Sequence, residues 1–369
     1  MICSHFGKCG SCDYYLEYNK AIDEKKKRLS TLLEPFYQGD IEIFVSKKSH
    51  HRSRAEFRIW HQNDKVYYAM SNLEKNGIEI LHECPKVLTP IAKIWHDLLE
   101  EINKSSLLKE KLFSIEFLAT TQNEILVTLI YHKKLNSDWE VAAKALETKF
   151  GISIIGRSKK QKIVLSKEYV KEKLTIFNRE FIYHYYENSF TQPNPYINQK
   201  MIEWASSLVK DSPNKDFIEL YCGLGNFTLP LSQYFNKVLA TEISKTAIKA
   251  AKQNCKINNI TNIEFVRLSA SESAQALFQK RKFHRLKDVN LKEYQFEVVL
   301  VDPPRAGLDK DSLELVKNFD KIIYISCNPI TLARDLEQLS KTHKVKKAAF
   351  FDQFPYTHHI ESGVYLERK

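Results

Sequence analysis

The second half of the chain repeats one pattern, in which a short apolar run is followed by a segment with helical periodicity. The runs FIELY, KVLATE, IEFVRLS, EVVLVD and KIIYIS begin at residues 217, 237, 263, 297 and 321. This alternation predicts a parallel, doubly wound α/β sheet. The last runs, KKAAFFDQF and SGVYLER, lie too close together for a crossover helix, so they predict a closing antiparallel hairpin.

The first half has a different, mixed pattern. Apolar residues at near-helical spacing over residues 14–35 predict an amphipathic helix that ends at Pro35. Strand-like alternation follows over residues 41–81, 113–134 and 151–173, and helices are expected over residues 88–104 and 137–149. We therefore predict two domains, an α+β domain over residues 1–189 and the doubly wound domain over residues 190–369.

The chain is basic. Lys and Arg total 56 against 45 Asp and Glu, which gives a net charge of +11 and a pI near 9.1. Such an excess attracts polyanions, either nucleic acid or an anionic membrane, although a basic protein without such a partner has the same composition. The sequence has no signal-peptide pattern and no apolar run of about 18 residues. We expect a cytoplasmic protein with neither a membrane nor an obligate protein partner.

A glycine-containing turn follows the first of the predicted parallel strands. In ELYCGLGNFTL, Gly223 and Gly225 allow the backbone to approach a ligand, while Thr228 stands where a dinucleotide fingerprint has its third glycine. Glu242 ends the next strand, where a carboxylate can accept hydrogen bonds from both hydroxyls of a ribose. The combination favours S-adenosylmethionine over a nicotinamide or flavin cofactor.

Two reactive residues follow later strands. Asp302 in VDPPRAG and Cys327 in YISCNP both lie at the carboxyl ends of strands, where open α/β sheets bind their ligands. A cysteine in such a run is often a buried apolar residue, but its place beside the expected cofactor favours a nucleophile. Glu361, in the turn into the final strand, is either a catalytic carboxylate or an ordinary surface residue.

Taken together, SFTQPN, ELYCGLGNF, VDPPRAGLD, YISCNP and FDQFPYTHHIESGV resemble the bacterial tRNA (uracil-5-)-methyltransferase family. RSRAEFRIWH and LIYHKKL extend the resemblance over nearly the whole chain. It implies a seven-stranded methyltransferase sheet, S-adenosylmethionine as cofactor, and the T-loop uridine at tRNA position 54 as target. It also implies that Cys327 is the nucleophile and Glu361 the proton acceptor. The cofactor contacts that it implies are Gln192, Tyr221, Asn226, Glu242 and Asp302.

This chemistry explains the residue types. Thiolate addition at uracil C6 makes C5 nucleophilic, and a base must later remove the C5 proton so that the cysteine can leave. We expect the site to favour thiolate, with Arg305 or the cofactor's sulfonium as the positive charge. The uridine must also leave its stack to reach the thiol.

Basic segments in the first half suit RNA. Seven basic residues lie between Arg157 and Lys173, and aromatic residues accompany a second group, which consists of Lys47, Lys48, Arg52, Arg54 and Arg58 with Phe57 and Trp60. The alternative is a solvated strand face with aromatic residues in the core. We predict an RNA-binding domain without assigning its contacts.

Four cysteines form a further candidate site. Cys3, Cys9 and Cys12 have C-x5-C-x2-C spacing, and Cys84 could supply a fourth thiolate. The single, distant fourth cysteine favours a [4Fe-4S] cluster over zinc. That these cysteines bind no metal is a further alternative. This arrangement resembles the related rRNA uracil-5-methyltransferases, which carry such a cluster. An rRNA substrate is therefore an alternative to tRNA. A non-catalytic role in RNA folding is a second alternative, but the presence of both Cys327 and Glu361 counts against it.

Overall fold

The computed structural model describes residues 3–14, 16–210 and 215–369. The elements of the first half are α1 (Tyr18–Leu33), β1 (Ile41–Phe44), β2 (Arg54–Gln62), β3 (Lys65–Ser71), β4 (Ile78–Ile80), α2 (Thr89–Lys104), α3 (Ser106–Lys109), β5 (Leu112–Ala119), β6 (Ile125–Tyr131), α4 (Ser137–Phe150), β7 (Ser153–Ser158), β8 (Gln161–Val164), β9 (Tyr169–Ile176) and β10 (Arg179–Tyr186).

The second half alternates as the sequence predicts. Its elements are α5 (Pro195–Ser207), β11 (Asp216–Leu220), α6 (Thr228–Leu231), β12 (Val238–Thr241), α7 (Lys245–Ile257), β13 (Ile263–Val266), α8 (Ala270–Leu277), β14 (Phe296–Val301), α9 (Lys310–Val316), β15 (Lys321–Ser326), α10 (Pro329–Leu339), β16 (His343–Phe351) and β17 (Glu361–Arg368). Among the described residues, no helix combines the length and apolar character that crossing a bilayer requires.

An eight-stranded sheet forms the larger layer, with the order β1-β16-β17-β15-β14-β11-β12-β13. Strands β15, β14, β11, β12 and β13 are parallel neighbours, and β17 runs antiparallel to both β15 and β16. The predicted doubly wound sheet and its closing antiparallel hairpin are therefore confirmed. Apolar cores cover both faces: α5, α7 and the β9–β10 hairpin pack on one, and α1, α8, α9 and α10 on the other.

A second, seven-stranded sheet belongs to the first half of the chain. Its order is β4-β3-β2-β5-β6-β7-β8, and the predicted hairpin of β5 and β6 is present. Helices α2 and α4 cover one face, where Trp95 and Trp139 are almost completely buried. The opposite face of β2 carries the polar and charged residues of the strand.

Parts of the first half pack with the eight-stranded sheet. Strand β1 pairs in parallel with β16, with Ile41 opposite Ala348, and it adds an eighth strand to the seven-stranded sheet that the family resemblance implied. Helix α1 buries Leu29 and Leu33 in the same core as β15 and β16. Sequence periodicity could not predict these contacts, because each joins segments about 300 residues apart. The division into domains at residues 189 and 190 stays a prediction.

A buried ionic contact ties α1 to the loop that precedes β17. The Lys25 ammonium lies 3.4 Å from the Asp352 carboxylate and donates a hydrogen bond of 2.9 Å to the carbonyl of Phe354. The Tyr18 hydroxyl donates to the other Asp352 oxygen at 2.6 Å. Both charged side chains are buried, so removal of one leaves an uncompensated charge in a low-dielectric environment.

We expect Asp352→Ala to lower the free energy of unfolding by about 3–5 kcal/mol, because the Lys25 ammonium would remain buried without its carboxylate. Urea unfolding followed by circular dichroism measures the change. Lys104→Ala, which removes a largely exposed ion pair with Glu101, is the matched control and should have a much smaller effect, because water screens exposed charges. An effect of Asp352→Ala no larger than that of Lys104→Ala would show that the buried contact adds no more stability than an exposed ion pair.

Candidate active site

A tight turn after β11 forms one wall of a cavity at the carboxyl end of that strand. The backbone has left-handed φ angles at Tyr221 (62°), Gly223 (54°) and Gly225 (88°). A Cβ atom at Gly225 would lie 2.4 Å from the buried Leu229 side chain, so a larger residue there would displace Leu229 and strain the backbone. Tyr221 and Gly223 of this turn line the cavity.

The structure brings the predicted cofactor residues together. Gln192, Tyr221, Gly223, Asn226 and Asp302 line one cavity beside this turn. Glu242 lies next to it, where its Oε2 accepts a hydrogen bond of 3.3 Å from the Gly223 amide. Parallel pairing of β11 with β12 produces this proximity, because it aligns the carboxyl ends of the two strands. The role of each side chain in holding a cofactor stays a prediction.

A buried carboxyl, Glu219, also lines the cavity and was missed in the sequence. The Thr228 hydroxyl donates to it at 2.6 Å. Burial raises the pKa of Glu219 well above its ordinary value, and the carboxyls of Asp302 and Glu242 raise it further. The signal was present in FIELY, where a single acid interrupts an apolar strand.

A chain of two amides leads to Asp302. Gln353 Nε2 donates to Gln192 Oε1 at 2.7 Å, and Gln192 Nε2 then points at Asp302 Oδ2, 3.5 Å away. This chain orients the Gln192 amide with its donor toward the cavity. Gln353 was not assigned a role from the sequence, although it stands in the DQFPYTHH block.

The predicted catalytic pair meets across two strands. Antiparallel pairing of β15 with β17 places Ser326 opposite Ser362, so the neighbouring residues Cys327 and Glu361 lie side by side at the edge of the sheet. Glu361 is buried, whereas Cys327 is half-buried and faces the site from the end of its strand. The hydrogen bond of the Ser362 hydroxyl to the Ser326 carbonyl, 3.2 Å, reinforces this register.

Two carboxyls in this site have raised pKa values. Burial raises the pKa of Glu361 well above its ordinary value, and the neighbouring Asp302 carboxyl raises it further. Burial also raises the pKa of Asp302 to about 7. A carboxylate with a raised pKa accepts a proton more readily than an exposed one, which suits Glu361 to the role of a base.

The Cys327 thiol does not favour thiolate in the ligand-free protein, so Arg305 alone does not supply the expected stabilisation, and the expected effect of the cofactor's sulfonium stays a prediction. Burial, followed by the carboxyls of Glu361 and Asp302, raises the pKa of Cys327 to about 11, although Arg305 acts in the opposite direction. Arg305 donates from its guanidinium to His359 Nδ1 at 3.2 Å. Its single positive charge is therefore outweighed by the combined effect of burial and two acids.

The basic segments divide into structural and exposed residues. Arg54 pairs with Glu116 at 2.9 Å, and Phe57 is a core residue, so both serve the fold. Trp60 is 44% exposed, as a residue available to a ligand would be. Whether a side chain is exposed or ion-paired depends on the strand face that it occupies. The irregular alternation of these segments did not allow that face to be predicted from the sequence.

The four N-terminal cysteines lie near one another as free thiols. Cys9 and Cys12 are buried, and Cys3 and Cys84 are half-buried. Burial raises the pKa values of Cys3 and Cys84. The charge of Cys84 raises that of Cys3 further, and the charges of Cys12 and Cys9 raise that of Cys84 further, so the thiols are close enough to interact. Within the described ranges, however, no group of three or more His, Cys, Asp or Glu side chains is arranged to hold a metal ion. The predicted metal site is thus not shown.

We expect the rate of Cys327 alkylation by iodoacetamide to rise with pH up to about pH 11 in the ligand-free protein, since the thiolate is the reacting form. Glu361→Gln should move this rise to lower pH, because it removes a negative charge that opposes thiolate formation. Peptide mass spectrometry measures the modification of Cys327 at each pH. Glu314→Gln, at an exposed ion pair, is the control. A wild-type midpoint at about 8.5, the value of a free thiol, would show that burial and the two carboxyls do not raise the pKa of Cys327.

Comparison with solved structures agrees with the fold. A tRNA (uracil-54, C5)-methyltransferase from Pyrococcus abyssi, solved in complex with S-adenosyl-L-homocysteine, superposes with a TM-score of 0.74 at 23% identity. The alignment covers 97% of this chain and 85% of the other. The shared architecture includes both sheets, since nearly the whole chain is aligned.

Sequence comparison gives the family. The tRNA (Uracil-5-)-methyltransferase family matches residues 17–369. A protein named tRNA/tmRNA (uracil-C(5))-methyltransferase from Sulfurovum sp. (strain NBC37-1) is 56% identical over 100% of both chains. One of the same name from Haemophilus influenzae (strain PittEE) is 47% identical over 96% of this chain and 98% of its own. The resemblance in the sequence motifs is confirmed, and the chain belongs to the tRNA (uracil-5-)-methyltransferase family.

Proposed function

We propose that this protein methylates C5 of the T-loop uridine at position 54 of tRNA, with S-adenosylmethionine as methyl donor and Cys327 as covalent nucleophile. The observation that carries the proposal is the position of Cys327 beside Glu361, next to the cavity lined by Gln192, Tyr221 and Asp302. A thiol and a base of raised pKa at one edge of a cofactor cavity match the two roles that C5 methylation of uracil requires.

The residues act in sequence on the base. The Cys327 thiolate forms a bond to C6, and the electron pair displaced from the C5–C6 double bond makes C5 nucleophilic. After C5 has gained the methyl group, Glu361 takes the C5 proton, the double bond re-forms, and the bond from C6 to Cys327 breaks. Glu361 lies close enough to Cys327 to raise its pKa, which supports action of both groups on the same base.

The carboxyls near the Cys327 thiol also suit the binding of a positively charged cofactor. S-adenosylmethionine, when bound, supplies the methyl group and brings the positive charge of its sulfonium. Asp302 and Glu361, which raise the pKa of Cys327 in the ligand-free protein, would then face a cation. Cys327 would form thiolate more readily in the complex than alone, so the thiol stays mainly protonated and unreactive until S-adenosylmethionine is bound.

The first half supplies a surface suited to the RNA backbone. A depression of about 780 Å³ on the seven-stranded sheet is lined mainly by basic side chains, namely His132, Lys133, Lys134, Arg157, Lys159 and Lys160. At its side, Phe113 is 41% exposed and stacks on His132 with ring centroids 4.3 Å apart. Positive charge beside an exposed aromatic ring favours phosphates and an unpaired base as ligands.

Methyl transfer from labelled S-adenosylmethionine tests the proposal. Unmodified tRNA, tmRNA and large-subunit rRNA should be supplied in parallel, and the methylated nucleotide mapped. We expect label at uridine 54 of tRNA and none after Cys327→Ala, which removes the nucleophile. A tRNA with 5-fluorouridine at position 54 should form a covalent adduct, because its C5 carries no removable proton.

Glu361→Gln provides the matched control for the two steps. It should still form a covalent adduct with unmodified tRNA but release product at least about 100-fold more slowly, because the proton acceptor is lost. Label confined to rRNA would overturn the tRNA assignment. A labelled tRNA product from Cys327→Ala would overturn the covalent mechanism.

We further propose that Cys3, Cys9, Cys12 and Cys84 hold a [4Fe-4S] cluster. Four thiols are the donor set that such a cluster requires, and a cluster holds its four sulfurs farther apart than a single zinc ion does. The four thiols lie near one another but are not arranged around a single ion within the described ranges, and this wider spacing suits a cluster better than zinc.

Buried positive charge supports an anionic group at this place. Lys86 is 4% exposed and donates only to the carbonyl and hydroxyl of Ser11, at 2.7 and 2.8 Å, without an ion pair to any described carboxylate. Burial raises the pKa values of Cys9 and Cys84, and the positive charge of Lys86 opposes that rise. A buried ammonium without a carboxylate partner is costly, and four thiolates bearing a cluster would compensate it.

Anaerobic purification tests the cluster. We expect a brown protein with about four iron atoms per chain and absorbance at about 400 nm. Cys84→Ser should remove most of both, while Cys255→Ser, a buried cysteine in α7, should change neither. One zinc per chain, or no metal in the anaerobically purified protein, would overturn the proposal.

A further inference from the structure

The hairpin of β9 and β10 displays three aromatic rings on its outer face. Tyr169 stands opposite Tyr186, and Lys171 stands opposite His184. The rings of Tyr169 and His184 stack with centroids 4.0 Å apart and planes 13° from parallel, and Tyr186 lies 5.5 Å from Tyr169. We call Tyr169, His184 and Tyr186 the hairpin ring cluster. All three rings are half-exposed, so they present aromatic surface to solvent.

The hairpin is attached mainly through residues other than Tyr169 and His184. Its inner face buries Tyr183 and Tyr185 in the core beneath, and Tyr186 packs partly against the same core. Two of its backbone amides are bound by side chains: Asn254 of α7 accepts a hydrogen bond from the His184 amide at 2.8 Å, and Glu124 accepts one from the Lys171 amide at 2.9 Å. The stacked rings of Tyr169 and His184 are therefore available for a second role on a well-anchored support.

Unpaired positive charges flank the hairpin ring cluster. Of the seven basic residues between positions 157 and 173, three form ion pairs, namely Arg157 with Glu187, Lys162 with Glu168 and Lys173 with Glu180. Lys167 and Lys171 are exposed and form no ion pair with a described residue. Burial lowers the pKa of His184, and the positive charges of Lys171 and Lys167 lower it further. Both lysines therefore lie near the His184 ring.

A short segment links the hairpin ring cluster to the active site. The Ser189 amide donates to the Tyr186 carbonyl at 3.1 Å, and the Arg54 guanidinium donates to the carbonyls of both residues. Phe190, which follows, is 76% exposed and lines the cofactor cavity. The aromatic surface therefore starts at the mouth of the cavity, and a chain entering the site could continue onto the hairpin.

We propose that the hairpin ring cluster stacks an unpaired base of the substrate RNA outside the active-site cavity, while Lys167 and Lys171 contact phosphates next to it. The charge complementarity and the aromatic faces both point to nucleic acid, because every base offers a face for stacking and its backbone is anionic. The inference rests on the proposed function, since it deepens how the RNA substrate of that site is held.

The affinity of the ligand-free protein for unmodified tRNA, measured by fluorescence anisotropy, tests the inference. Tyr169→Ala should weaken binding about ten-fold through loss of one stacked base, and Tyr169→Phe should bind like wild type. The double substitution Lys167→Ala with Lys171→Ala should weaken tRNA binding. It should also make the slope of log K against log salt concentration shallower by about two, because about two phosphate contacts are lost. Ile182→Ala is the matched control, because Ile182 is an exposed, non-aromatic residue on the same face of β10.

The outcomes separate this inference from the proposed function. Wild-type protein that does not methylate tRNA would remove the function, whatever the hairpin binds. A different result would overturn the hairpin ring cluster as an RNA contact: the wild-type protein methylates tRNA, but Tyr169→Ala and the lysine variant each bind tRNA within two-fold of the wild-type affinity. Equal losses in Tyr169→Ala and Ile182→Ala, with a matching fall in melting temperature, would also overturn it. A defect confined to Tyr169→Ala and the lysine variant, at unchanged affinity for S-adenosylmethionine, supports it.

Discussion

The antiparallel pairing of β15 with β17 is the interaction on which the site depends. A doubly wound sheet of parallel strands brings carboxyl ends together, but it cannot place the beginning of one strand beside the end of another. Reversal of β17 does so, and it sets the first residue of that strand, Glu361, next to Cys327. Because the register of β-strands changes in steps of one residue and each step reverses the faces, a shifted β17 would direct the carboxyl away from the thiol.

Charge is distributed in opposite ways at two length scales. The whole chain carries a net charge of +11, which attracts an RNA over distances near the Debye length. The cavity is lined by the carboxyls of Glu219 and Asp302, and those of Glu242 and Glu361 lie beside it. Long-range attraction therefore acts on the anionic substrate, while short-range interactions inside the cavity suit a cationic methyl donor. The two requirements do not conflict, because the carboxyls are shielded in the cavity and the exposed lysines are not.

The sequence indicated the parallel strands, the closing hairpin and the chemistry at the strand ends, because each depends on local periodicity or on the residue that follows a strand. It did not indicate the attachment of β1 to β16 or the amide chain from Gln353 to Asp302, since both contacts join segments far apart in the chain. The sequence also could not indicate the protonation of Cys327 in the ligand-free protein. A thiol's pKa depends on burial and on every nearby charge, and the motif identified Arg305 without the burial and the two carboxyls that outweigh it.

The pairing of β1 with β16 has a consequence for synthesis. Ile41 leaves the ribosome long before its partner Ala348. The edge of the sheet that β1 forms therefore stays open until β16 has emerged, and α1 has no complete surface to cover until β16 and β17 have been made. A chain that stops before β17 would carry the thiol, the turn at Gly225 and the basic surface, yet it would lack Glu361 and the strand that aligns it. In the proposed mechanism such a chain could hold RNA without being able to finish the reaction on it.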